Sequence, residues 1–143
     1  MSSPKDLAST EIKEFSGIAE FIKNIDDDVA ELRRRMGELL KRLEELRIKA
    51  EQEKKIKELL GKLGVKSEAL TNTITIRGLT LIFNPTAEQE QTALEVAIEN
   101  LNSKLTALQT LRRELEVMTG AELIMKIRVV YVDGIPRAAF FRF

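Results

Sequence analysis

Few residues of this chain can do chemistry. It has 143 residues with no histidine and no cysteine, which removes Ser/His and Cys/His nucleophiles, imidazole and thiolate zinc sites, and the side chain that most often moves protons near neutral pH. What remains is carboxylates, Lys and Arg in equal number, and one tyrosine, Tyr131. Catalysis would have to rest on carboxylates with Lys or Tyr131. Two charged clusters stand out. Asp26-Asp27-Asp28 offers the hard oxygen ligands a divalent cation takes, but three consecutive helical residues do not converge on one point, so capping or a solvated face is the favoured reading. Arg33-Arg34-Arg35, continued by Lys41, Arg42, Arg47, Lys49, Lys54, Lys55 and Lys57, has the charge that follows a phosphate backbone. The same stretch interleaves Glu31, Glu38, Glu44, Glu45, Glu51 and Glu53, the chain is formally neutral, and no aromatics alternate with the basic residues. A salt-bridged solvent face is favoured there, with nucleic-acid contact by Arg33, Arg34 and Arg35 the lesser alternative. Arg77-Gly78 and Gly134 read as turns and belong to no phosphate-binding glycine loop. These residues point to a non-enzymatic protein with no cofactor and no metal.

The elements that carry those residues are set by one pattern. Apolar side chains recur at alternating steps of four and three at Ile18, Ile22, Ile25, Val29, Leu32, Met36, Leu39, Leu43, Leu46 and Ala50, the heptad stripe along which helices wind around one another. A second seam runs through Leu94, Ile98, Leu101, Leu105, Leu108, Leu111, Leu115 and Met118. The expected class is α+β: a long antiparallel helical coiled coil with two short β units, one in the middle and one at the C-terminus.

Residues 4–64 read as one long helix, or as a helix pair turning near Asn24 to Asp28. Ser3-Pro4-Lys5-Asp6 has the form of a helix start. After Ala50 the stripe slips, with Glu53 and Lys57 in seam positions and the apolar set resuming at Ile56, Leu60 and Leu63; such a slip strains the supercoil or marks the end of the partner helix. Residues 71–84, TNTITIRGLTLIFN, are β-branched and apolar around Arg77-Gly78 and predict two short strands, or one longer strand with a glycine bulge. Residues 86–119 form the second long helix. Residues 122–143 predict a hairpin about Asp133-Gly134, the strongest two-residue turn signal, with Pro136 placing the last strand at a sheet edge.

From Glu31 to Lys66 there are twelve Lys and Arg against seven Asp and Glu, and from Thr86 to Gly120 three against six. Balances of +5 and −3 favour antiparallel pairing of the two helices. A simple helical hairpin about 50 Å long would hold the two β units apart at its ends, and an isolated hairpin is marginal in water. An antiparallel homodimer that joins unlike β units at each end answers this, and a parallel assembly is its competitor. The stripe residues from Ile18 through Leu46, with Leu94, Ile98, Leu101, Leu105, Leu108 and Leu115, are accordingly expected to form the oligomer seam. Phe140, Phe141 and Phe143 are candidate contacts for another protein; packed in the chain's own core, Phe141 and Phe143 are expected on one face with Ile124, and Phe140 on the other beside Ile127.

The polar start and the lack of a long apolar run give the expectation of a cytoplasmic protein that binds no membrane. The scarcity of Cys, His and Trp beside many Glu, Lys and Arg resembles thermophile composition. In element order, helix, β unit and helix from about Asp28 to Gly120 resemble the prefoldin subunits, hexameric chaperones that hold unfolded clients between coiled-coil arms; the C-terminal Asp-Gly hairpin departs from that pattern. The resemblance implies a holdase, set second to an adaptor or scaffold that self-assembles and presents small sheets to other proteins.

Overall fold

The computed structural model describes residues 10–64, 72–120 and 125–143, except for the side chain of Asn72. It is a mixed helix and sheet protein with a long helix and small antiparallel sheets. The order is β1 (Glu11–Phe15), α1 (Ile18–Lys62), β2 (Asn72–Ile76), β3 (Leu79–Phe83), α2 (Ala87–Leu115) with a closing 3₁₀ turn (Glu116–Met118), β4 (Lys126–Val132) and β5 (Ile135–Arg142). Two compact units emerge. One holds the described residues up to Arg35 and those from Asn100 on; the other holds Met36–Glu99.

In the first unit the expected helix before Ile18 gives way to a strand. Ser3-Pro4 lies outside the described residues, while Glu11–Phe15 pairs antiparallel with β4, Phe15 opposite Ile127 and Ile12 opposite Val130. The alternation of Glu11, Lys13 and Phe15 with Ile12 and Glu14 is a period of two, which a sheet can use and a helix cannot. The chain turns at Ser16-Gly17. There Glu20 reaches back to accept hydrogen bonds from the Ser16 hydroxyl and from the Ser16 N–H at 2.8 Å, satisfying donors at the helix start. From Ile18, α1 runs unbroken through Asp26-Asp27-Asp28, so the alternative turn there is not taken.

β1, β4 and β5 form a three-stranded sheet with β4 central. This overturns the expectation that the C-terminal hairpin needs the middle β unit of another chain for company. Its third strand comes from the same chain. Ile127, Val129 and Tyr131 of β4 are almost fully buried, as are Phe15, Ile18, Phe21, Ile22 and Ile25, and the rings of Phe15 and Phe21 stack with centroids 5.2 Å apart. The sheet covers the first turns of α1.

The Asp133-Gly134 turn forms as expected, with positive φ at both residues, and β5 is an edge strand. Next to Pro136 the register slips by one residue: Tyr131 opposes Pro136 but Val130 opposes Ala138, leaving Arg137 as the extra residue. A one-residue slip sends every later side chain to the other face. Phe141 therefore lies opposite Ile127 and Phe140 opposite Arg128, reversing the expected assignment of these two rings. Ile124 lies outside the described residues.

In the second unit β2 and β3 pair as two short strands about Arg77-Gly78, both with positive φ, so the single bulged strand does not occur. Helix α2 opens with a reciprocal cap: the Thr86 N–H donates to Gln89 Oε1 at 3.0 Å and the Gln89 N–H to Thr86 Oγ1 at 3.2 Å. A third donor at this start, the Ala87 N–H, goes to Glu53 Oε2 of α1 at 3.1 Å. Leu43 and Leu46, before Glu53, are buried, whereas Ile56 and Leu59, after it, are exposed. Helix α2 thus runs back from Glu53 antiparallel to α1. The slip of the stripe at Glu53 marks the place where the partner helix begins, and a carboxylate sits there because it caps that helix.

Candidate interaction surfaces

All fifteen residues expected at the seam are buried or half-buried within the single chain. Ile18, Ile22, Ile25, Leu32, Leu43, Leu46, Leu105 and Leu108 are buried; Val29, Met36, Leu39, Leu94, Ile98, Leu101 and Leu115 are half-buried. The stripe is covered by elements of its own chain, and incompletely, since two helices leave one side of a seam open. Off the stripe, Leu40, Ile48 and Val96 are exposed.

The charged clusters are spread apart. Asp26 Oδ1 accepts from Arg112 Nε at 3.0 Å, and Arg112 also meets Glu116 at 3.3 Å; the Asp26 contact chiefly raises the Arg112 pKa. Asp27 is exposed, and Asp28 is placed to disfavour ionisation of Tyr131. No group of three or more acidic residues able to hold a metal occurs among the described residues. Arg34 and Arg35 both bind Glu31, at 2.6 and 3.1 Å, and with Arg34 as the larger cause they hold its carboxyl down at about 2. Arg42 pairs with Glu45 and Arg47 with Glu44. Arg33 is exposed and lines a shallow groove with Gln109 and Arg113. The basic residues are thus distributed along a face interleaved with glutamates.

Tyr131 sits at the centre of a polar inset on the inner face of the sheet. Its hydroxyl donates to Asn24 Oδ1 at 3.1 Å, and the Lys13 ammonium lies 4.9 Å from its ring centroid. Lys13 is also 3.5 Å from Glu11, whose Oε1 is buried without a hydrogen bond. Burial first, then the charges of Asp28 and Glu11, push the phenol pKa upward. The one tyrosine is thereby moved away from proton transfer near neutral pH. In the same unit the groove lined by Glu14, Phe15, Glu20, Met125 and Phe143 has both carboxylates engaged: Glu14 by Arg128, and Glu20 by Ser16, which lowers the Glu20 pKa.

Two apolar surfaces are left uncovered. On the outer face of the three-stranded sheet, Ile12 and Phe140 are exposed and Val130 half-exposed, but Glu14 and Arg128 cross that face as an ion pair at 2.8 Å and Lys126 and Arg142 stand opposite one another. Phe143 is 86% exposed beyond β5. The β2–β3 hairpin differs in kind. Its register puts Ile74, Leu81, Ile76, Leu79 and Phe83 on one face and Thr73, Thr75, Thr80 and Ile82 on the other. Ile74, Ile76, Leu79 and Phe83 are 49%, 53%, 62% and 50% exposed. The signal was present in the sequence as alternating Ile and Thr, and only the register shows that the two strands add their apolar residues to one face. No described helix is long and apolar enough to cross a membrane. Comparison with protein families, with curated proteins and with solved structures finds no match for this chain.

Proposed function

We propose that the chain is a non-enzymatic structural or adaptor protein that self-assembles, its two long helices winding as a coiled coil and its small sheets meeting other protein surfaces. One observation carries this reading: the helices keep half of their stripe only partly covered, and Leu40, Ile48 and Val96 lie exposed beside it. Apolar surface left this way by one chain is the material of an interface. The engaged state of the charged clusters and the upward shift of Tyr131 favour assembly over catalysis.

The test is the absolute mass in solution by light scattering after size exclusion. A species of at least twice 16.2 kDa supports self-assembly, and a monomer at all concentrations refutes it. The uncovered hairpin face also suits a holdase for unfolded chains, the second reading. Suppression of aggregation of an unfolded model protein at stoichiometric amounts, with no defined partner, would favour that reading.

A further inference from the structure

We infer that the second unit carries the self-assembly surface: the apolar face of the β2–β3 hairpin, with the unpaired end of α1, docks on the same surface of a second copy of this chain. The inference rests on the self-assembly reading above and names the surface responsible. Three observations support it.

First, both parts of the surface lack cover for a structural reason. Helix α2 starts opposite Glu53, so the turns of α1 after it have no described helix opposite them, and Ile56, Leu59 and Leu63 are more than half exposed. Ile56 and Leu59 stand three positions apart on one side of α1, and Leu63, four positions on, follows directly after the helix with its N–H donating to the Leu59 carbonyl at 3.1 Å. The hairpin is two-stranded, with no further described strand on either edge, a form that is marginal alone in water.

Second, the extent is appropriate. Seven apolar side chains at about half exposure or more, four from the hairpin and three from the end of α1 and the residue after it, expose roughly 600 Å² in all; two copies would bury about 1,200 Å², the lower end of a stable specific interface.

Third, the charge fits a copy of itself. From Gly78 to Ser103 the chain has four Glu and no Lys or Arg, whereas Lys54, Lys55, Lys57 and Lys62 surround the apolar end of α1 with Glu58 alone opposing them. Glu88, Glu95 and Glu99 are exposed, as are these lysines. A two-fold axis sets the acidic strip of each copy on the basic strip of the other, with the hairpins, which carry only Arg77, between them.

The lack of cysteine in the chain permits a clean test. Ile76→Thr with Leu79→Thr keeps β-forming residues while removing apolar area, and the expected result is at least a tenfold rise in the dissociation constant with unchanged circular dichroism. Thr75→Val on the opposite face should leave the mass unchanged. As a check that does not depend on the fold tolerating the double variant, Ile76→Cys treated with a short bismaleimide should give a covalent dimer, and Thr75→Cys should give markedly less. If the wild-type chain is a monomer, self-assembly itself fails. If it is an oligomer whose mass survives Ile76→Thr/Leu79→Thr but falls on Phe140→Ser or Ile48→Ser, self-assembly stands and this surface is refuted.

Discussion

The two β units of this chain are both rich in apolar residues and have opposite circumstances. The C-terminal hairpin gains a third strand from Glu11–Phe15 and a helix beneath it, so β4 becomes a central strand with three residues almost wholly buried. The middle hairpin gains neither among the described residues, and four of the five apolar residues on one face, Ile74, Ile76, Leu79 and Phe83, are left about half exposed. What decides between the two is supply within the chain. β1 has a period of two and lies just before the turn at Ser16-Gly17, where it can reach β4; among the described residues nothing plays that part for β2 or β3. A short β segment is therefore complete or incomplete according to what flanks it, even where its own residues are equally apolar.

Substitutions at matched sites sharpen the contrast. Ile127→Ala, in the middle of the covered sheet, should cost about 3 to 4 kcal/mol in denaturant unfolding at any protein concentration. Ile76→Ala should cost under about 1 kcal/mol in dilute solution, where its side chain is already half in water. Equal costs at the two positions would break the comparison.

Tyr131→Phe removes the hydroxyl that Asn24 accepts, and should lower stability by about 1 kcal/mol. The phenol pKa is raised on folding, so the native state holds this proton more tightly than the unfolded chain. Its contribution is full below about pH 10 and is lost as pH rises beyond that. In alkaline titration monitored by circular dichroism, Tyr131→Phe should unfold at higher pH relative to its own neutral stability; an unchanged alkaline profile would place the phenol in water.

In the uncovered hairpin the turn itself is improvable. Arg77 has φ 44° ahead of Gly78 at 84°, a conformation that asparagine adopts more readily than arginine. Arg77→Asn should stabilise the hairpin by about 0.5 kcal/mol, read as slower amide exchange in β2 and β3 with β4 unaffected.

The smallest effect belongs to the surface of α1. The Glu31 carboxyl is depressed to about 2 by Arg34 and Arg35, so its contribution is present above its ordinary value near 4.5 and is lost as pH falls towards 2. Glu31→Gln should lower neutral stability slightly and flatten the acid limb over that interval by the same small amount; a loss at neutral pH as large as that of Tyr131→Phe would make the cluster more than a surface feature.

Much of this architecture is readable from residue spacing, and the departures have specific causes. The stripe from Ile18 to Leu46 is the buried side of α1 because heptad spacing leaves a helix no other apolar side. The Asp133-Gly134 and Arg77-Gly78 turns followed from residues that accept positive φ. β1 was hidden because Phe15 happens to continue the helical phase of Ile18, Ile22 and Ile25, although Glu11–Phe15 alternates with a strand's period. The faces of Phe140 and Phe141 were reversed by one extra residue, Arg137, whose position beside Pro136 no count from the turn could give. Of the candidate surfaces, the sequence offered the apolar residues of the hairpin but not their gathering on one face, which depends on register. Glu53 looked like a flaw in the stripe until its hydrogen bond to the Ala87 N–H gave it a partner.

The central claim is that one sheet is complete within a chain and the other is completed by a second copy. Hydrogen–deuterium exchange measured at low and high protein concentration tests it directly. Ile127–Tyr131 should exchange slowly and equally at both, while protection of Thr73–Phe83 should rise with concentration. Protection of Thr73–Phe83 that is independent of concentration would contradict it.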